Sequence, residues 1–149
     1  MTSALDTPYR GGFVDREHHF ALTVYFEDTD TAGVVYYANY LKFLERARSD
    51  MLRSVGINQG AMLHGDGSAY FVTAVEIKYR KPARLGDDLL VVSSIARVRA
   101  SSVRIHQRVM RGSEQLADAV VTAAFLDAQG RPRRQPRDWV DKFREITNQ

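Results

Sequence analysis

The chain has 149 residues, 44% of them hydrophobic and 26% charged, which suits one globular domain. It contains no cysteine, so a disulfide framework, a thiolate zinc site and a thiol nucleophile are all excluded, and a reducing compartment is the natural setting. The net charge is +3 and the pI 9.3, with arginines gathered over residues 97–111 and 131–137, a distribution that favours an anionic ligand.

Residues 1–17 contain Pro8, Gly11 and Gly12, show no periodicity, and are expected to form a loose arm. They lack the basic and apolar regions of a secretory signal. No stretch of the chain approaches the ~20 apolar residues of a membrane span, so a cytoplasmic protein is expected.

From His18 onward Phe20, Leu22, Val24 and Phe26 alternate with Ala21, Thr23, Tyr25 and Glu27, the period of a half-buried strand. A turn-rich stretch around Asp28, Asp30 and Gly33 follows. Leu41, Leu44, Met51, Leu52 and Val55 then recur at helical spacing over 40–55, and Gly56 is a fitting stop. After a glycine-containing loop the pattern turns to strands over 70–80, 88–98, 103–111 and 115–127, each bounded by turn residues such as Gly86-Asp87, Gly112-Ser113 and Gln129-Gly130. Trp139, Val140, Phe143 and Ile146 share one side of a short helix over 138–146, whereas the run of arginines and prolines before it reads as a solvated linker.

This order implies an α+β fold, a bent antiparallel sheet of about five strands wrapped around one long central helix, because the sheet can bury one face on that helix. The domain is expected over residues 18–130, with 131–149 a basic C-terminal tail. Polar residues around much of the helix, and sheet edges left uncovered, point to a homodimer or homotetramer.

Two acids, Asp28 and Asp30, stand between the first strand and the helix. A carboxylate there lies beside the free N–H groups of a helical first turn, which favour developing negative charge. The pair supplies an attacking or basic group and an oxyanion site with no cofactor. Acids in this position also cap helices, and Asp28 is read in that structural role.

The stretch Tyr25-Phe26-Glu27-Asp28-Thr29-Asp30-Thr31-Ala32-Gly33-Val34-Val35-Tyr36-Tyr37-Ala38-Asn39-Tyr40, continued by Phe43-Leu44-Glu45-Arg46-Ala47-Arg48, resembles the signature of the 4-hydroxybenzoyl-CoA thioesterase family. Within that family it is most similar to the acyl-CoA thioesterases associated with the Tol-Pal system, and the similarity, which includes Lys81-Pro82-Ala83-Arg84-Leu85-Gly86-Asp87, runs from about residue 20 to 125. The resemblance implies a hotdog fold, active sites at a dimer interface and hydrolysis of an acyl-CoA. It also implies Asp30 as the catalytic carboxylate, the backbone N–H of Tyr37 as oxyanion donor, and Arg97 and Arg99, with Ser101, as contacts to the nucleotide phosphates. Many members of the Tol-Pal-associated group carry His where this chain has Tyr37, so no imidazole role is implied there.

Other chemistries find less support. His18 and His19 are adjacent and point to opposite faces of a strand, and His64 and His106 have no partner at ligand spacing, so no metal is expected. No Gly-x-Ser-x-Gly turn exists for a serine triad, and the glycines near residue 65 do not form a phosphate loop. The arginine-rich tail raises nucleic acid as a partner, which is not expected once the motif is considered. An acyl carrier protein is a further candidate partner. The reading from another class is a non-catalytic acyl-CoA or acyl carrier protein binding module on the same fold.

Overall fold

The structure, a computed structural model, describes residues 3–147. Its sheet contains β1 (Gly12–Val14), β2 (Glu17–Thr23), β3 (Ala69–Tyr79), β4 (Asp88–Val98), β5 (Ser102–Arg111) and β6 (Glu114–Leu126), in the spatial order β1-β2-β4-β5-β6-β3. All neighbouring strands are antiparallel. The helices are α1 (Tyr40–Ser54), α2 (Gln59–Gly65) and α3 (Arg137–Ile146).

The sheet has six strands rather than about five, and the additional one is β1, inside the segment expected to be a loose arm. Three residues are too short to display a period of two. Long-range contacts hold β1 in place: Phe13 pairs with His18 across the hairpin, and the Gly11 N–H donates to the Asp50 carboxylate at 2.9 Å. A Cβ on Gly11 would lie 2.1 Å from the His19 carbonyl oxygen, so only glycine fits. Helix α2 is likewise shorter than a recognisable apolar period; Asn58 caps it, accepting the Ala61 N–H at 3.0 Å.

Helix α1 buries Tyr40, Phe43, Leu44, Ala47 and Met51 against the sheet, a stripe at helical spacing. Leu41, expected on that face, is 44% exposed, because the stripe begins at Tyr40 and passes through Phe43 instead. Two apolar clusters lie along the helix. One packs Phe43 and Leu44 on Leu89, Val91 and Val109; the other packs Met51 and Leu52 on Ile95, Ile105, Phe125 and the α3 residues Trp139 and Phe143. Burial of each large side chain contributes about 1.5–3 kcal/mol.

A polar seam ties the helix to the sheet beside these clusters. The buried Gln107 amide donates to the Leu44 carbonyl at 3.0 Å and to Ser93 Oγ at 2.9 Å, while its oxygen accepts from Arg48 at 3.0 Å. Both polar atoms of the Gln107 amide thus have partners, which removes most of the cost of burying them. Desolvation lowers the Arg48 pKa from its ordinary value.

The residues leading into α3, expected to be a solvated linker, are bound to the domain. Arg133 bonds to Asp66 and to Ser68, and Gln135 N–H donates to the Ala100 carbonyl at 2.8 Å. Thr147 then runs parallel to β4 at Ile95, beyond the point where β2 pairing ends at Ser93. Alternation could not reveal these contacts, since they are made by loop backbone and by single side chains.

Strand β3 is at the sheet edge and exposes Phe71 (50%), Val72 (47%), Val75 (40%) and Tyr79 (46%). Among the described residues, no helix is long and apolar enough to cross a membrane.

Candidate active site

The segment between β2 and α1 is held from both ends. A turn over Phe26–Asp28 is capped by Asp28, whose Oδ2 accepts the Tyr25 N–H at 2.8 Å. The Asp28 carbonyl accepts the Tyr36 N–H at 3.1 Å and the Asn39 side-chain amide at 2.8 Å. Asp28 is 8% exposed, and its position accords with a structural role.

Asp30 heads the small loop that this arrangement closes. Thr29 bridges to Val35, the Asp30 N–H donates to the Val34 carbonyl at 2.9 Å, and the Gly33 N–H returns to the Asp30 carbonyl at 3.1 Å. Gly33 has φ of 77°, the left-handed conformation this tight reversal requires. The Asp30 side chain is exposed; Oδ1 accepts the Ala32 N–H at 2.9 Å, and Oδ2 has no hydrogen-bond partner among the described residues. One oxygen is therefore held while the other is available for chemistry.

The loop rests on the turn before β4. Val35 N–H donates to the Ala83 carbonyl at 2.8 Å and Leu85 N–H to Gly33 at 3.2 Å. The Ala83 N–H in turn donates to the Tyr40 hydroxyl at 3.1 Å. Asp87 braces the same turn by accepting the Arg84 N–H and an Arg111 N–H, each at 2.8 Å, and these bonds lower its pKa below the ordinary carboxylate value.

Tyr37 opens the helical turn Tyr37–Asn39 that leads directly into α1, so its backbone N–H has no intrahelical acceptor. Its carbonyl is fixed by the Tyr79 hydroxyl at 3.0 Å. A cavity of about 270 Å³ beside it has Tyr37, Tyr40, Tyr79, Arg80, Lys81 and Pro82 in its lining. Around the loop Tyr25, Phe26, Tyr36, Leu41 and Leu85 are exposed apolar or aromatic side chains. The alternation of β2 had placed Phe26 inside; it is 80% exposed, because the strand ends at Thr23 and the chain turns.

Two further cavities flank α1. The larger, about 780 Å³, lies away from Asp30 among Tyr9, Phe20, Arg46, Arg53 and Ile57. A slot of about 120 Å³ lies on the β3 side among Arg48, Leu52, Tyr70, Val72 and Ile105.

Arg97 and Arg99 come together with Ser102, Arg104 and Thr122 around a small cavity of about 70 Å³. Ser101 is not among its lining residues; its carbonyl accepts the Phe125 N–H at 2.8 Å, and Ser102 takes the place beside the arginines. Arg104 was missed, although its alternation with the inward Val103 and Ile105 signals an outward position. These arginines are not adjacent to Asp30 in the same chain. Asp30 is braced from the Asp88 end of β4 and Arg97 stands near its other end, a strand distance of about 30 Å at ~3.3 Å per residue.

The family model described as the thioesterase-like superfamily matches residues 24–145. The chain is 38% identical over 114 residues to the acyl-CoA thioesterase YbgC of Haemophilus influenzae, covering 76% of this chain and 84% of that protein. It is 36% identical over 112 residues to the 1,4-dihydroxy-2-naphthoyl-CoA hydrolase of Thermosynechococcus vestitus, covering 74% and 77%. Among solved structures, a probable thioesterase from Bartonella henselae superposes with a TM-score of 0.77 at 35% identity, covering 80% of this chain and 99% of that one. The wrapped helix, the braced acidic loop and these matches agree, and the chain belongs to the thioesterase-like superfamily with the hotdog fold.

Proposed function

We propose that the protein is a thioester hydrolase that converts an acyl-CoA to the free acid and coenzyme A, with Asp30 as the reacting carboxylate. The observation that carries this reading is the state of that side chain: Oδ1 is held by Ala32 while the exposed Oδ2 is uncommitted, on a loop hydrogen-bonded to the start of α1. The Tyr37 N–H suits the thioester oxygen, which gains negative charge as the carbonyl carbon becomes tetrahedral. Two routes use the same carboxylate. Attack by Oδ2 on the carbonyl carbon expels the coenzyme A thiolate, which takes up a proton, and leaves a mixed anhydride that water cleaves; alternatively Oδ2 removes a proton from an attacking water.

The acyl-CoA would lie across two copies of the chain. Support comes from the exposed β3 edge, which is suited to strand pairing, and from the separation of Asp30 from the arginines proposed to hold the phosphates. Arg97 and Arg99 are those phosphate contacts, with a serine hydroxyl from Ser101 or Ser102, and the lining of the cavity favours Ser102. A cytoplasmic location accords with a coenzyme A thioester substrate. Acyl carrier protein is a candidate partner, and the motif around Asp30 supports membership of the Tol-Pal-associated group.

The test is thiol release from a series of acyl-CoAs of increasing chain length by the purified protein. Turnover that depends on chain length supports the reading. Tight binding of acyl-CoAs without release of thiol from any of them would make the protein a binding module instead.

A further inference from the structure

Six arginines share one surface at the far end of β4. Arg97, Arg99 and Arg104 line the small cavity, while Arg99, Arg134, Arg137 and Arg144 line a neighbouring one of about 410 Å³, so Arg99 belongs to both. Among the described residues, none of the six is in a salt bridge, whereas Arg108, Arg111, Arg131 and Arg133 each have a carboxylate partner. Asp141 is the acid in the lining of the larger cavity. Six cations against one acid leave a net repulsion, which a bound polyanion relieves.

The two cavities are held in register by a buried side chain. Gln135, 5% exposed, donates from its amide to the Arg99 carbonyl at 2.7 Å and to the Ser102 carbonyl at 3.2 Å, and its oxygen accepts from the Tyr70 hydroxyl at 2.5 Å. Trp139 and Phe143 anchor α3 in the core below, so the arginines of the C-terminal segment project from a fixed base. Little of the backbone has to be ordered on binding, which favours affinity.

We propose that Arg134, Arg137 and Arg144 form a second anion site that recognises the 3′-phosphate of a nucleoside carrying a 5′-diphosphate, so that the protein selects coenzyme A over its dephospho form. This rests on the acyl-CoA reading above. The small cavity suits a single anionic group, here part of the diphosphate. The larger one has room for a base and a ribose phosphate, with guanidinium planes available both for bidentate contact and for stacking.

The experiment is titration calorimetry of the whole chain with adenosine 3′,5′-bisphosphate and with adenosine 5′-phosphate at one fixed salt concentration. It is followed by KM values for an acyl-CoA and the matching acyl-dephospho-CoA. The bisphosphate should bind at least about tenfold more tightly, the fold expected for charge-assisted hydrogen bonds of about 1.4 kcal/mol. The combined variant Arg134→Ala, Arg137→Ala, Arg144→Ala should abolish that preference and bring the two KM values together, with kcat unchanged; Arg137→Gln alone serves if the combined variant melts early. Equal affinity for the two nucleotides in the unaltered protein, or a preference that survives loss of the arginines, overturns the inference. Preference for the bisphosphate in a protein that releases no thiol would instead overturn the hydrolase reading while leaving this one intact.

Discussion

Replacing Asp30 with Asn removes a charge and almost nothing else. The Asn side-chain oxygen can accept the Ala32 N–H that Oδ1 now accepts at 2.9 Å, and the position is exposed, so stability should change by no more than about 0.5 kcal/mol. For a chain of 149 residues that is a shift of about 1–2 °C in Tm. The chemistry should suffer far more: loss of the carboxylate proposed to react should lower kcat at least ~10²-fold, equivalent to about 2.7 kcal/mol in the barrier. Asp28→Ala is the contrasting variant. It deletes the cap on the Tyr25 N–H at a buried position, which costs about 1 kcal/mol and shifts Tm by about 2–4 °C, with kcat largely retained in the folded fraction. Thiol release and thermal melts on both variants give the comparison. Asp30→Asn that folds and keeps full activity would refute the reasoning. Single turnover in ¹⁸O water adds a distinction between the routes, since label in the Asp30 carboxylate requires the mixed anhydride.

Three other outcomes follow from the geometry. Sedimentation should show a species of at least twice the 16.9 kDa chain mass at micromolar concentration, and Val75→Lys on the exposed β3 edge should convert it to monomer; unaltered protein sedimenting at 16.9 kDa alone would defeat the composite site. Phe143→Ala should cost about 3–5 kcal/mol, because the side chain is fully buried where α3 meets the sheet, and a urea midpoint unchanged by the substitution would contradict that packing. His18 is buried beside Asp50 Oδ2 at 2.8 Å; desolvation lowers its pKa below 6.5, with Asp50 pulling the other way. The unfolded chain then binds the proton more readily, so the contribution of His18 to stability is complete above about pH 6.5 and declines as pH falls through the lower folded value. Urea titrations between pH 5 and 8 on the unaltered protein and His18→Gln should show this decline in the first and its reduction in the second.

Short-range periodicity made much of this protein legible from its residues alone. The strand over 88–98 and the helix beginning at residue 40 follow from side-chain alternation and helical spacing, because a half-buried element must repeat its apolar face with the period of its own backbone. The candidate carboxylate was also legible, since Asp30 sits in a contiguous motif whose chemistry is local. Tertiary structure alone decided which strands pair. It placed β3 beside β6 at the edge, rather than beside the strand nearest in sequence, and so left Phe71, Val72 and Val75 exposed. It also decided that Gln107 is buried, with Arg48 and Ser93 as its partners, and that Gln135 joins the C-terminal segment to the β4–β5 turn. The arginine surface has the same origin. Arg97, Arg104 and Arg137 lie in three separate stretches of chain, and come to line adjoining cavities only when those stretches close on each other. Contacts of this kind depend on loop closure and packing across the whole fold, which no window of neighbouring residues encodes.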